Sequence, residues 1–265
     1  MKVTFQINAK HLTNVAGFLK GISDPYAVVS LIYTEQGTAH EKPTFLGKTE
    51  VVKNSLNPSW VTTFALDYDV GSPVNVLVKI FDEVPKGEDV PMGSSVFTIA
   101  EVLDRKDQIK IQQMKKSDGI VQLRILPQND DEGKLFLKMS GSGVMNKEGM
   151  FRVSDPFYEI FKRRQGKLGA EWDVVHRSPV IRNDLNPEWP QEEIDLKVLC
   201  DCDLEQVFVL KVFDYESSGE HVLMGEVETS VNALVSARKE SRPLQLTEEG
   251  RDTGRLGVDM AFSIS

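Results

Sequence analysis

Apolar and polar residues alternate along the first segment: Val3, Phe5 and Ile7 are interleaved with Lys2, Thr4 and Gln6. The same period of two runs through Val74, Val76, Val78 and Ile80, and Ala27 to Tyr33 is a mostly apolar run. It returns at Leu135, Leu137 and Met139 and again at Phe208, Leu210 and Val212. Successive side chains of an extended backbone point to opposite faces, so this period predicts half-buried strands. Gly, Pro, Asn and Asp separate the runs at short intervals, as in an antiparallel sandwich. Helical patterning is confined to two short stretches, Ile99–Arg105 and Val231–Arg238. The expected fold class is all-β.

The pattern occurs twice. Ser23-Asp24-Pro25-Tyr26 is matched by Ser154-Asp155-Pro156-Phe157, and Lys48–Trp60 (KTEVVKNSLNPSW) by Arg177–Trp189 (RSPVIRNDLNPEW). Lys79-Ile80-Phe81-Asp82 is matched by Lys211-Val212-Phe213-Asp214, and Met92-Gly93 by Met224-Gly225. The offsets are 131, 129, 132 and 132 residues, so the matches are collinear and describe a tandem duplication. The expected seam is the polar stretch from Pro127 to Gly133, with domains at 1–129 and 133–265.

Composition narrows the classes. Lys and Arg total 31 against 40 Asp and Glu, a net −9, which argues against a nucleic-acid binder held by phosphate contacts. No run of 18 apolar residues occurs, so no membrane-spanning helix is expected. The two cysteines, Cys200 and Cys202, lie at i and i+2; in a strand they share a face and do not readily bridge. That predicts free thiols and a reducing, cytoplasmic setting.

Ser-Asp-Pro-Tyr/Phe, then Lys/Arg-Asn-x-Leu-Asn-Pro-x-Trp, Phe-Asp and Met-Gly together resemble the C2 domain, and the resemblance covers both copies. The second copy, through Phe157-Tyr158-Glu159-Ile160, Val175-His176-Arg177, Cys200-Asp201-Cys202-Asp203 and Phe213-Asp214-Tyr215, is similar to the second C2 domain of copines. Copines continue into a von Willebrand type A domain, which has no counterpart in this sequence. The resemblance implies two antiparallel eight-stranded β-sandwiches. It also implies loops at one end that gather carboxylates around calcium and dock on anionic phospholipid. Calcium is a hard cation that takes six to eight oxygens, so carboxylates must converge from separate loops.

Set against the family's spacing, both calcium sites are eroded. Copy two aligns Asp155, Asp214 and Glu216; Gly149 stands where a further carboxylate is expected, with Glu148 one step away, and Val222 replaces the last. Copy one aligns Asp24 and Asp82, with Asp89 nearby, while Phe18 and Val84 replace ligands. So few carboxylates imply a weak site, on the order of 10⁻⁴ M without lipid. The alternative use of these residues is to cap turns. Phe18, Leu19, Met145, Met150, Phe151 and Val222 are apolar residues at expected loop tips, suited to headgroup insertion. Lys162, Arg163 and Arg164, with Lys167, form a basic hairpin that either meets anionic headgroups or is a solvated face.

Catalysis finds no motif: the four histidines share no metal spacing, and no phosphate-cradling Gly-rich loop precedes a helix. Two functions fit. One is a peripheral adaptor that binds phospholipid with weak or partial calcium dependence. The other is a calcium-independent protein-interaction module.

Overall fold

The computed structural model describes residues 1–16, 21–33, 42–115, 117–126, 133–149, 152–166 and 169–264. The chain forms two compact units whose main division falls between residues 128 and 129. The expected seam lies outside the described residues for most of its length.

The first unit contains β1 (Lys2–Lys10), β2 (Pro25–Tyr33), β3 (Thr44–Lys48), β4 (Ser59–Asp67), β5 (Val74–Asp82) and β6 (Val90–Thr98). A one-turn helix α1 (Ile99–Leu103) follows, then β7 (Ile109–Gln113) and β8 (Ile120–Ile125). They pair into two four-stranded antiparallel sheets, β4-β1-β8-β7 and β3-β2-β5-β6. The alternation read from the sequence is what packs them: Val74, Val76, Val78 and Ile80 of β5 are all buried, as are Val3, Phe5 and Ile7 of β1. Phe5 stacks on Phe64 with centroids 5.5 Å apart. Trp60, buried on β4, donates its indole N–H to the carbonyl of Pro25 at 3.3 Å and so ties one sheet to the first turn of the other.

The second unit repeats the plan with β9 (Lys134–Ser142), β10 (Pro156–Gly166), β11 (Gly169–Arg177), β12 (Glu192–Asp195) and a helical turn α2 (Leu196–Cys200). It continues through β13 (Phe208–Asp214), β14 (Val222–Thr229), α3 (Val231–Glu240), β15 (Leu244–Glu248) and β16 (Arg251–Ile264). Its strand order, β11-β10-β13-β14-β15-β16-β9-β12, is the same two layers joined at one edge by the single pairing of Glu226 with Thr247. Trp189 is fully buried and meets Tyr158 edge-on at 5.1 Å.

The repeated Met-Gly is a β-bulge in both units. Gly93 lies opposite Ile80 while Pro91 lies opposite Phe81, leaving Met92 as the extra residue; Met224 has that place between Leu223 and Gly225. Each glycine holds a φ, +140° and +155°, that other residues rarely adopt. The bulge bends the strand that returns from the loop after Phe-Asp and so sets the angle at which that loop leaves the sheet.

Two details differ from the sequence reading. Residues 196–200 form a helical turn capped by Asp195, whose carboxylate accepts from the N–H groups of Lys197 and Val198. Cys200 ends that turn, and Asp201 and Cys202 are left-handed, so the two thiols are not strand neighbours on one face. Neither cysteine forms a disulfide. No helix among the described residues is long and apolar enough to cross a membrane.

Candidate cation sites at the loop ends

Both units build their loop end around one asparagine. Asn146 accepts through Oδ1 from the backbone N–H and hydroxyl of Ser154, at 3.1 and 2.9 Å, and from Glu148 N–H at 3.2 Å. Asn14 does the same for Ser23, at 3.1 and 2.9 Å, and for Ala16. The serine of each Ser-Asp-Pro is therefore a buried clasp. Each following aspartate has one carboxylate oxygen on a backbone N–H of the Asn-x-Leu-Asn-Pro loop: Asp24 on Asn54, Asp155 on Asn183, both 2.7 Å. That bond is the turn-capping use of aspartate foreseen from the sequence.

In the second unit three carboxylates converge. The ligand oxygens of Glu148, Asp214 and Glu216 all lie within 4.8 Å of one another. Asp214 is completely buried at the end of β13; one oxygen accepts from Asp155 N–H at 2.7 Å, and the other has no partner among the described residues. Glu216 donates its backbone N–H to Nδ1 of His221 at 3.1 Å. That imidazole packs against Phe157 and Tyr215, and burial lowers its pKa, so the ring stays neutral and able to accept. The carboxyl of Glu216 is pushed up by desolvation, then by the charges of Glu148 and Asp214. Arg152, 3.6 Å from Glu148 and itself mostly exposed, offsets only part of this effect, so the Glu216 carboxyl remains raised.

Asp155 stands apart from these three. Its remaining oxygen pairs with Arg182 at 2.5 Å, and that guanidinium lies 4.7 Å over the ring of Tyr215.

The first unit has the same corners and different contacts. Asp82, buried, accepts from Asp24 N–H at 2.5 Å. Lys53 places its ammonium 3.0 Å from Asp24 and 2.5 Å from Glu83. Asp89 is committed elsewhere: it accepts from Val84 N–H at 2.9 Å and from the Tyr26 hydroxyl at 2.6 Å. Those bonds lower the Asp89 pKa, while burial, followed by the Asp89 contact, pushes the Tyr26 phenol up to about 12.

Of the apolar tips, Met145 and Val222 are exposed at 39% and 40%. Phe18, Leu19, Met150 and Phe151 lie outside the described residues. The basic hairpin is not the continuous charged face expected. Lys162 is 3% exposed and pairs with Asp201 at 2.6 Å, because the left-handed turn after α2 brings that carboxylate under the sheet. Arg164 is held by Asp173 at 3.0 Å and by Glu171. Only Arg163 of the three is exposed. The sequence reading also passed over Trp172, half exposed beside a cavity of about 490 Å³ that Val209, Lys211, Glu226 and Glu228 help to line.

Two β-sandwiches with carboxylates gathered at their loop ends define a class of protein. The chain belongs to the C2 domain family, whose sequence profile matches residues 3–115 and 120–246. It is similar to Copine-E of Dictyostelium discoideum, with 25% identity over 245 residues, and covers 89% of this chain but 40% of that protein. Similar solved structures include BON1-C2B, at 21% identity and a TM-score of 0.44 over 51% of this chain and 93% of that one. The calcium-bound pair of C2 domains of Extended-Synaptotagmin 2 aligns at 15% identity and a TM-score of 0.35, covering 99% of this chain and 97% of that one. The chain is therefore a pair of modules of a kind used for calcium and lipid binding or for protein interaction.

Proposed function

We propose that the chain is a non-enzymatic adaptor at the cytoplasmic face of anionic membranes, and that its second unit makes the attachment responsive to calcium. The observation that carries this reading is the Asp214 oxygen: fully buried, without a partner among the described residues, and grouped with Glu148 and Glu216. A buried carboxylate oxygen without a donor is costly, and a hard cation is the ligand that satisfies it together with its neighbours. The residues present fit such an ion: Glu148, Asp214 and Glu216 would hold it. When bound it supplies positive charge, reversing the sign of a surface that otherwise repels phospholipid. Three carboxylates leave the shell incomplete, and a lipid phosphate is a fitting source of further oxygen, so calcium and membrane strengthen one another. The exposed Met145 and Val222 flank this end and suit shallow insertion between headgroups.

Co-sedimentation with vesicles tests the proposal. The chain is expected to pellet with phosphatidylserine-containing vesicles in calcium, to remain in solution in chelator, and to ignore phosphatidylcholine vesicles. Pelleting that is equal in calcium and chelator would refute the calcium part; no pelleting under any condition would refute the membrane part. The second reading, a calcium-independent protein-interaction module, is favoured by a specific feature, the half-exposed Trp172 beside its cavity. Aromatic anchors of this kind are enriched at protein interfaces.

A further inference from the structure

The two loop ends share three corners, differ at a fourth, and differ in their glutamates, since Ala16 and Val84 stand where the second unit has Glu148 and Glu216. Asp24 and Asp155 hold the same turn, Asp82 and Asp214 accept the same backbone N–H, and Lys53 and Arg182 are the matching bases of the Asn-x-Leu-Asn-Pro segments. The fourth corner follows Phe-Asp: it is Glu83 in the first unit and Tyr215 in the second.

That exchange relocates the base. Glu83 draws the Lys53 ammonium between itself and Asp24, at 2.5 and 3.0 Å. Tyr215 instead stacks under Arg182, whose guanidinium pairs with Asp155, while an oxygen of Asp214 has no partner among the described residues. We propose that Lys53 is a tethered cation: in the first unit its ammonium takes the place that a free divalent ion would take. The first loop end is then neutralised by the chain itself and does not respond to calcium, and the residue at position 83 or 215 determines where the base of each unit is seated.

The physical basis is local concentration. An ammonium carried on the loop itself competes with millimolar calcium at an advantage no free ion has. It also stays charged, since burial lowers its pKa but the bonds to Glu83 and Asp24 outweigh that and leave it raised. A lysine is a compact point charge able to sit between two carboxylates; a stacked arginine is not. The inference concerns the first unit and stands independently of whether the second unit binds calcium.

Calcium binding to the full chain by equilibrium dialysis tests it, with Asp214→Asn used to silence the second unit. Asp214→Asn alone should hold almost no calcium at 1 mM. Asp214→Asn with Lys53→Gln should hold close to one ion per chain, roughly a tenfold rise in bound calcium for a site of the affinity that few carboxylates give. Asp214→Asn with Lys53→Arg should not rise. Lys53→Met, which keeps the stem and removes the charge, replaces Lys53→Gln if the latter fails to fold by circular dichroism. Folded double variants that bind no more than Asp214→Asn would overturn the inference, and so would calcium binding by Asp214→Asn alone. A wild-type chain that binds nothing, alongside a double variant that binds one ion, would sink the calcium proposal for the second unit and leave this one standing.

Discussion

Removing a charge at Asp214 should stabilise the calcium-free protein, which is the reverse of what a buried, hydrogen-bonded aspartate ordinarily does. One oxygen accepts from Asp155 N–H at 2.7 Å, and asparagine keeps that acceptor. The other oxygen is buried without a partner and shares a 4.8 Å cluster with Glu148 and Glu216. An unsatisfied buried polar atom costs about 1–3 kcal/mol. Two charges at that separation repel by about 3.5 kcal/mol at an effective dielectric near 20, a figure that solvent contact of both glutamates reduces. Asp214→Asn relieves both effects and gives an amide that can donate to the facing carboxylates, so we expect a gain of about 1–3 kcal/mol in chelator. For a unit of this size that corresponds to roughly 3–9 °C in melting temperature. Calcium at 1 mM should stabilise the wild type by about 1.4 kcal/mol for a dissociation constant near 10⁻⁴ M, and the variant not at all. Scanning calorimetry of the full chain, with and without calcium, reads both effects. A variant that melts below the wild type in chelator, or that gains as much from calcium, would refute the reasoning. Stability given up at a binding site is the usual signature of function.

Trp60→Ala and Trp189→Ala should each destabilise by about 3–5 kcal/mol in chemical denaturation, since both indoles are essentially fully buried; unchanged midpoints would contradict the anchoring role. Lys162→Met should cost about 1–3 kcal/mol, the lower range for breaking a buried pair because Asp201 is partly solvated; vesicle binding of the folded protein should be unchanged, and its loss would mean that the lysine reaches headgroups after all. The Cys200 thiol is pushed up to about 11 by burial, so a thiol reagent at pH 8 should modify at most one cysteine in the native protein and both after unfolding. Rapid native modification of both would show the helical turn to be open.

The strands were legible because burial of one face leaves a period of two, and the duplication because identical turn chemistry recurs at nearly constant offsets. Asp214 and Glu216 were legible for the same reason: they follow the end of a strand, where register is fixed. Glu148 stood one step from the expected place, and its own N–H, donated to Asn146, fixes its backbone where the side chain meets Asp214. Asn14 and Asn146 share the 132-residue offset of the Phe-Asp matches, so the signal was present and passed over. The seats of Lys53 and Arg182 were not legible, because a long side chain settles on a partner from another loop, and Glu83 against Tyr215 reads as a minor exchange. Lys162 resembled a solvated charge because nothing in its own strand foretells the left-handed turn that supplies Asp201.

The central claim is that calcium held by the second unit and attachment to an anionic membrane are one coupled event. Calorimetric titration of the full chain with calcium, in the presence and absence of phosphatidylserine vesicles, tests it most directly. Weak binding in solution should tighten at least tenfold with vesicles, with both the binding and the tightening lost in Asp214→Asn. An affinity that vesicles leave unchanged, or a titration without heat at millimolar calcium under either condition, would contradict the claim and favour the protein-interaction module.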